Sequence, residues 1–208
     1  MNTTIPHALR HAVAAVVYVS EGSNEKILTS LKTIVKEAAT TASVERCSTS
    51  SLLGASLLNV FSDPHYNRSS FVIAGSVPDA VAQTAFALTK AALKAIPDLR
   101  EHDATHPRIG IVDHISFAPL CPSEIDSVST TIVPTNAEEA TTTRTVHSQH
   151  DNIGVNMEDA AIAAARLSES LALDLQLPVM VKTICQSGSR YLMFLLFTYC
   201  FNKSGLRP

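Results

Sequence analysis

The order of strand-like and helix-like patterns in the first 117 residues constrains the fold more than any other feature of this sequence. Short runs rich in β-branched residues are typical of buried strands, whereas apolar residues three or four apart indicate the buried face of a helix. The patterns predict, in order, a strand at 13–19, a helix at 27–38, strands at 57–61 and 70–74, a helix at 78–96 and a strand at 109–117. This βαββαβ order predicts an α+β, ferredoxin-like sandwich whose helices cover one face of a mostly antiparallel sheet.

Turn and capping residues separate these elements. Residues 20–24 read Ser-Glu-Gly-Ser-Asn, which ends the first strand and begins a helix. An Asp-Pro pair and Asn67 favour a turn between the second and third strands. Ser76 and Asp79 have the spacing of a capping box around Pro78, so we expect the second helix to start there.

The remaining segments are less regular. The residues at 40–56 are mostly Thr, Ser and Ala and are predicted to form a loop, and 122–155 is polar without any period, which predicts a flexible insertion. After it, Asn156 is placed to cap a third helix, and 179–183 follows as a further strand. The fold is therefore expected to carry an added helix and strand after the insertion.

These patterns predict one domain at 12–183 and a divergent, disordered tail at 184–208. The tail contains the longest apolar run, Tyr191–Phe201, which shows neither helical nor strand periodicity. A helix that spans a bilayer needs about 20 apolar residues, and this run has 11. We therefore expect no membrane contact.

Charge and cysteine usage limit the function classes. The chain has 16 Lys and Arg against 19 Asp and Glu, a net charge of −3, so it lacks the basic surface by which a protein binds nucleic acid through its phosphates. Its four cysteines are scattered, without a CxxC pair, which argues against a disulfide framework and a zinc ribbon. The sequence favours a reducing, cytoplasmic location.

The densest cluster of chemically capable residues runs from Arg100 to Gly110, before the last of the six strands and helices. Histidine passes protons near neutral pH and arginine pairs with carboxylates, so this loop could hold a catalytic site, although a polar surface loop would look the same. His102 and His106 stand four apart, as two metal ligands on a helix would. Pro107 disfavours a helix at His106, so the metal hydrolase alternative rests on little.

Four motifs in this order resemble the N-terminal subdomain of formiminotransferase (glutamate formimidoyltransferase): Ser20-Glu21-Gly22, Asn67-Arg68, His106-Pro107-Arg108-Ile109-Gly110 and Val112-Asp113-His114. The resemblance implies transfer of a formimino group from N-formimino-L-glutamate to N5 of tetrahydrofolate, in one-carbon metabolism and histidine degradation. It also implies that His106 is the proton-transferring base, and that tetrahydrofolate is a cosubstrate with no metal required.

The resemblance extends to residues that bind substrate or folate. Arg108 would pair with a carboxylate of either substrate and Gly110 would admit the ligand, unless they are a solvated arginine and a packing glycine. Glu21 and Gly22 would contact an anionic or pterin edge, or else only cap a helix. Three more residues match substrate-side positions or serve a structural turn: Asp63, Asn67 and Arg68. We expect their hairpin at the opposite end of the sheet from residues 20–24 and His106.

The sequence also departs from the family. The insertion at 122–155 is longer than usual, the strand and loop after 179 diverge, and the second subdomain of the family, which completes the folate site, is missing. The chain therefore resembles a truncated formiminotransferase whose transfer is impaired. The alternative is a non-catalytic half-protein that binds folate, or a partner, through the sheet face that the second subdomain would cover. The same face could form a homo-oligomer.

Overall fold

The computed structural model describes residues 11–46, 54–96, 110–120, 153–186 and 189–195. In chain order the elements are β1 (Val13–Val19), α1 (Glu25–Arg46), β2 (Ser56–Asp63), β3 (Arg68–Gly75), α2 (Pro78–Ala95), β4 (Val112–Pro119), α3 (Ile153–Asp174), β5 (Met180–Gln186) and β6 (Ser189–Leu195).

The strands form one six-stranded sheet in the order β2-β3-β1-β4-β6-β5, and every neighbouring pair is antiparallel. The first four strands have the arrangement of a ferredoxin-like fold, with β1 between β3 and β4. The predicted α+β, ferredoxin-like class is therefore confirmed.

Helices cover one face of this sheet. Alternate residues of β1, from Val13 to Val19, are fully buried under them, as are Phe71 of β3 and Phe117 of β4. Each helix contributes a stripe of buried residues, such as Leu28, Leu31 and Val35 of α1 and Ala164, Leu167 and Leu171 of α3. The residues between them on the strands face the other side, which none of the described helices covers and which we call the open face.

The helix boundaries differ from three predictions. Helix α3 begins at Ile153, so Asn156 lies inside the helix and not at its N-cap. Helix α1 continues to Arg46, because the alanines between its threonines still bury one face, and so it occupies part of the loop predicted at 40–56. Helix α2 begins at Pro78 as predicted, but its N-cap is Val77 and not Ser76, the residue that the predicted capping box placed there.

The C-terminal part also differs from the prediction. The single added strand is one half of a hairpin, since β5 pairs with β6 and β6 pairs with β4. Residues 184–186 and 189–195 thus belong to the sheet, although the sequence placed them in a disordered tail. Hydrophobic runs without alternation can form a strand when the neighbouring strands determine the pairing. Most of the predicted insertion, and the tail beyond 195, lie outside the described residues.

Among the described helices, none is long and apolar enough to cross a membrane.

One end of the sheet brings together three connections. Strand β1 ends at Val19, which pairs with Ser69 near the start of β3 and with Val112 at the start of β4. The β2–β3 hairpin is at this same end, because β1 and β2 are both antiparallel to β3 and therefore parallel to each other. The expectation that the hairpin lies at the opposite end is wrong for that reason. We call this region the site end.

Candidate functional site

The site end consists of the β1–α1 turn, the β2–β3 hairpin and the residues that enter β4. The Gly22 N–H donates a hydrogen bond of 2.7 Å to Asn67 Oδ1. The Ser69 hydroxyl, which is buried, donates a bond of 2.6 Å to the Glu21 carbonyl. The turn and the hairpin are thus joined by direct contacts.

Gly22 is required by a close approach of two backbones. A Cβ atom at this position would lie 2.5 Å from Arg68 N, and closer still to the Asp63 carbonyl oxygen. Real Cβ atoms essentially never approach that closely. The hairpin backbone therefore fills the space beside Gly22, and the glycine has a packing role.

Glu21 folds back over its own turn. One carboxylate oxygen, Oε1, accepts hydrogen bonds of 2.9 Å from the N–H groups of both Ser23 and Asn24, and the residue is 8% exposed. Asn24 caps α1, since its Oδ1 accepts from the N–H groups of Lys26 and Ile27. Glu21 is thus a structural part of the turn at the start of α1.

Asp63 and Asn67 shape the hairpin. Asp63 Oδ1 accepts hydrogen bonds from the N–H groups of His65 and Tyr66 at 2.9 and 3.2 Å. Asn67 has a φ of 45°, a left-handed conformation that asparagine tolerates better than most residues. Both side chains therefore have turn-forming roles, as the alternative interpretation of the sequence anticipated.

Arg68 forms an ion pair with Asp113 of β4. The Asp113 side chain is 4% exposed and that of Arg68 is 25% exposed. Asp113 Oδ1 also accepts the Gly110 N–H at 3.1 Å and lies 3.4 Å from the Ser20 hydroxyl, which itself donates to the Gly110 carbonyl at 2.6 Å. Three groups from three segments, the Arg68 guanidinium, the Gly110 N–H and the Ser20 hydroxyl, thus meet at one buried carboxylate.

A ring stack that the sequence did not single out lies beside this cluster. Tyr18 and His114 are paired across β1 and β4 on the open face, with ring centroids 4.0 Å apart and planes 23° apart. Burial lowers the pKa of His114; the Arg68 cation adds to the decrease and the Asp113 carboxylate opposes it. The lowered pKa favours the neutral imidazole. Only the strand register, which sequence does not specify, would have paired these rings.

The structure brings together six of the eight residues selected from the sequence: Glu21, Gly22, Asp63, Asn67, Arg68 and Gly110. The other two, His106 and Arg108, lie outside the described residues, as does His102. Within the described ranges, no group of three or more His, Cys, Asp or Glu side chains is arranged to hold a metal ion.

Comparison with known proteins gives this arrangement a family. The sequence model of the formiminotransferase domain, N-terminal subdomain, matches residues 12–147, which is more than half of the chain. The chain belongs to the formiminotransferase family. The matched region contains the whole site end and also His106 and Arg108.

Two relatives show how much of such a protein is present. A formiminotransferase cyclodeaminase-like protein of Arabidopsis thaliana is 31% identical over 117 residues, which cover 54% of this chain and 34% of the relative. The glutamate formimidoyltransferase of Streptococcus pyogenes serotype M1 is 32% identical over 101 residues, which cover 49% of this chain and 28% of the relative. The match thus spans about a third of the length of these relatives.

Proposed function

We propose that this chain takes part in folate-dependent transfer of a formimino group from N-formimino-L-glutamate to tetrahydrofolate. The observation that carries the proposal is the family match over residues 12–147, because it includes both the assembled site end and the segment with His106. The name of the bacterial relative, glutamate formimidoyltransferase, supports the same reaction.

His106 is the proposed proton-transferring residue. N5 of tetrahydrofolate attacks the amidine carbon of formiminoglutamate and forms a C–N bond, which gives a tetrahedral adduct. N5 then loses a proton, the glutamate nitrogen gains one, and the bond from that nitrogen to the former amidine carbon breaks. The products are glutamate and 5-formiminotetrahydrofolate. One neutral imidazole can perform both transfers, and neither a metal nor a redox cofactor enters this balance.

The position of His106 in the chain is compatible with this role. It precedes Gly110 by four residues, and four extended residues span at most about 14 Å. Gly110 is buried at the site end, where its N–H contacts Asp113. Arg68 and Arg108 are proposed to pair with substrate carboxylates, while Glu21, Gly22, Asp63 and Asn67 hold the surrounding backbone.

The open face suggests what else the reaction needs. Phe61, Ser70, Tyr18 and His114 form one cross-strand row on this face, next to the site end, and Phe61 is 63% exposed. We propose that a second subdomain covers this row in the complete reaction. The 208 residues alone would then bind folate weakly and transfer slowly, because two substrates must be held together for the attack. The alternative, a non-catalytic module that binds folate or a second copy through the open face, rests on the same exposure.

The test is a transfer assay with the purified chain, tetrahydrofolate and formiminoglutamate, in which 5-formiminotetrahydrofolate is detected by mass spectrometry. Slow turnover that His106→Ala abolishes would support the enzyme. Folate binding that His106→Ala leaves unchanged, without any product, would support the binding module. Sedimentation at several concentrations would show whether the chain associates with itself.

A further inference from the structure

Asp113 occupies an unusual position in its strand. Val19 pairs with Val112 and Tyr18 pairs with His114, so β4 has one more residue here than β1, and Asp113 is the extra one. Such bulges turn a side chain out of the normal alternation of a strand. Val112 and Asp113 are accordingly both buried, although neighbouring residues of a regular strand face opposite sides.

The bulge places a carboxylate where it meets all three segments of the site end. Its Oδ2 pairs with Arg68 of the hairpin, and its Oδ1 accepts the N–H of Gly110 and lies near the hydroxyl of Ser20. A buried carboxylate is stable only when it is paired and hydrogen-bonded, and here both oxygens are engaged. The hydrogen-bonding capacity of the Asp113 carboxylate is therefore used by Arg68, Gly110 and Ser20, and it holds these three residues together.

We propose that Asp113 is a positioning residue of the transfer site, which aligns the Arg68 guanidinium for a substrate carboxylate and holds Gly110 in place at the entry to β4. The first half of this inference rests on the proposed function. Within the part of the chain that the structure describes, Arg68 directs an N–H to Asp113, and a guanidinium has five N–H donors, so further donors are not used by this contact. Its partial exposure gives a ligand access to it.

Two substitutions separate the two tasks of Asp113. Asp113→Asn keeps an oxygen for Gly110 and Ser20 but presents an uncharged NH₂ group to Arg68, so it breaks only the ion pair. Asp113→Ala removes both contacts. Asp159→Asn is the matched control, because Asp159 also pairs with a cation-forming side chain, His11, at 2.8 Å, but at the other end of β1.

The binding experiment uses N-formyl-L-glutamate, a stable isostere of formiminoglutamate, titrated by calorimetry into the full chain. Asp113→Asn should weaken its binding by about 10- to 100-fold, because small misplacements of a binding group have effects of that size. Asp159→Asn should leave it unchanged. The decisive variant combines Asp113→Asn with Arg68→Gln. Arg68→Gln alone would leave the buried Asp113 carboxylate without its cation, and the double variant avoids this. If Asp113 acts through Arg68, the second substitution should weaken binding by less than about threefold further.

Two results would overturn the proposal. One is wild-type affinity in Asp113→Asn. The other is a double variant that binds tenfold or more weakly than Asp113→Asn, since Arg68 would then contact the ligand at full strength without Asp113.

A measurement without ligand distinguishes failure of this inference from failure of the proposed function. In the wild-type chain, the Arg68 Nε–H should give a resolved NMR signal, and the Gly110 amide should exchange slowly. The Arg68 signal should broaden or merge with those of mobile arginines in Asp113→Asn, and Gly110 should exchange at least about tenfold faster in Asp113→Ala. If the wild-type chain does not bind N-formyl-L-glutamate but both changes occur, the substrate assignment fails and the positioning role stands. If neither change occurs, Asp113 positions nothing.

Discussion

Gly22→Ala is expected to separate the β1–α1 turn from the hairpin. The added methyl group would lie 2.5 Å from Arg68 N and closer to the Asp63 carbonyl oxygen, whereas an ordinary contact begins near 3.4 Å. The obstructing atoms are backbone, so they cannot rotate away as a flexible side chain would. The two segments must therefore move apart by about 1 Å, which stretches the 2.7 Å bond between Gly22 N–H and Asn67.

The structure also supplies a matched control, Gly75→Ala. A Cβ at Gly75 would collide with the Gly54 carbonyl oxygen and lie 3.0 Å from Ala55 Cα, at the opposite end of β3 from the site end. Overpacking of this kind costs about 1–3 kcal/mol. For a chain of this size, each kcal/mol lowers the melting temperature by about 2–4 °C. Both variants should therefore unfold at a lower temperature, measured by circular dichroism.

Only Gly22→Ala should also affect the site. It moves the backbone that carries Arg68, so it should weaken N-formyl-L-glutamate binding by about tenfold or more, while Gly75→Ala should not. Equal binding in both variants would show that the turn and hairpin do not shape the ligand site. A Gly22→Ala chain with wild-type melting temperature would refute the close approach itself.

Three further outcomes are expected. His106→Ala should lower formimino transfer by about 10²- to 10⁴-fold, and His102→Ala should do less, as quench-flow or steady-state rates would show; equal losses that zinc rescues would favour the metal alternative. The wild-type 208-residue chain should turn over more slowly than about 1 per second, and a faster rate would mean that the second subdomain is dispensable. Because the pKa of His114 is lowered in the folded state, the unfolded state takes up its proton first as the pH falls below about 6.5, so stability is lost from there down to the folded pKa. His114→Phe, which keeps the stack on Tyr18, should remove that part of the pH dependence in urea unfolding at pH 7 and pH 5, and an unchanged slope would contradict it.

The sequence predicted the local elements better than their relations in space. Hydrophobic periods located β1 and α2 within one or two residues, because each has a clear buried face. The direction of β2 decides at which end of the sheet the hairpin lies. That direction follows from the pairing of β2 with β3, and no local sequence pattern indicates it. The β5–β6 hairpin was missed for a similar reason. It joins the sheet only because β5 pairs with β6 and β6 pairs with β4.

The candidate site shows the same division. Motif resemblance selected Arg68 and Gly110 from the sequence, but not their common contact with Asp113, because that contact depends on a bulge. The Tyr18–His114 stack was missed altogether, although His114 belongs to one of the selected motifs and Tyr18 lies two residues before another. A predicted register for β1 and β4 would have found it, since the two residues are direct cross-strand partners.

The hydrogen bonds also divide the selected residues by role. Glu21, Asp63 and Asn67 each place a side-chain oxygen on backbone N–H groups of the turns, so their removal should disturb the scaffold before any ligand. Arg68 differs, because its partner is another side chain and part of its guanidinium remains exposed. A folded domain that commits a buried carboxylate to holding one arginine at the edge of its open face gains less stability than apolar packing would give. We propose that a ligand carboxylate at Arg68 accounts for this arrangement. The affinity comparison between Asp113→Asn and its combination with Arg68→Gln therefore tests the site more directly than any stability measurement.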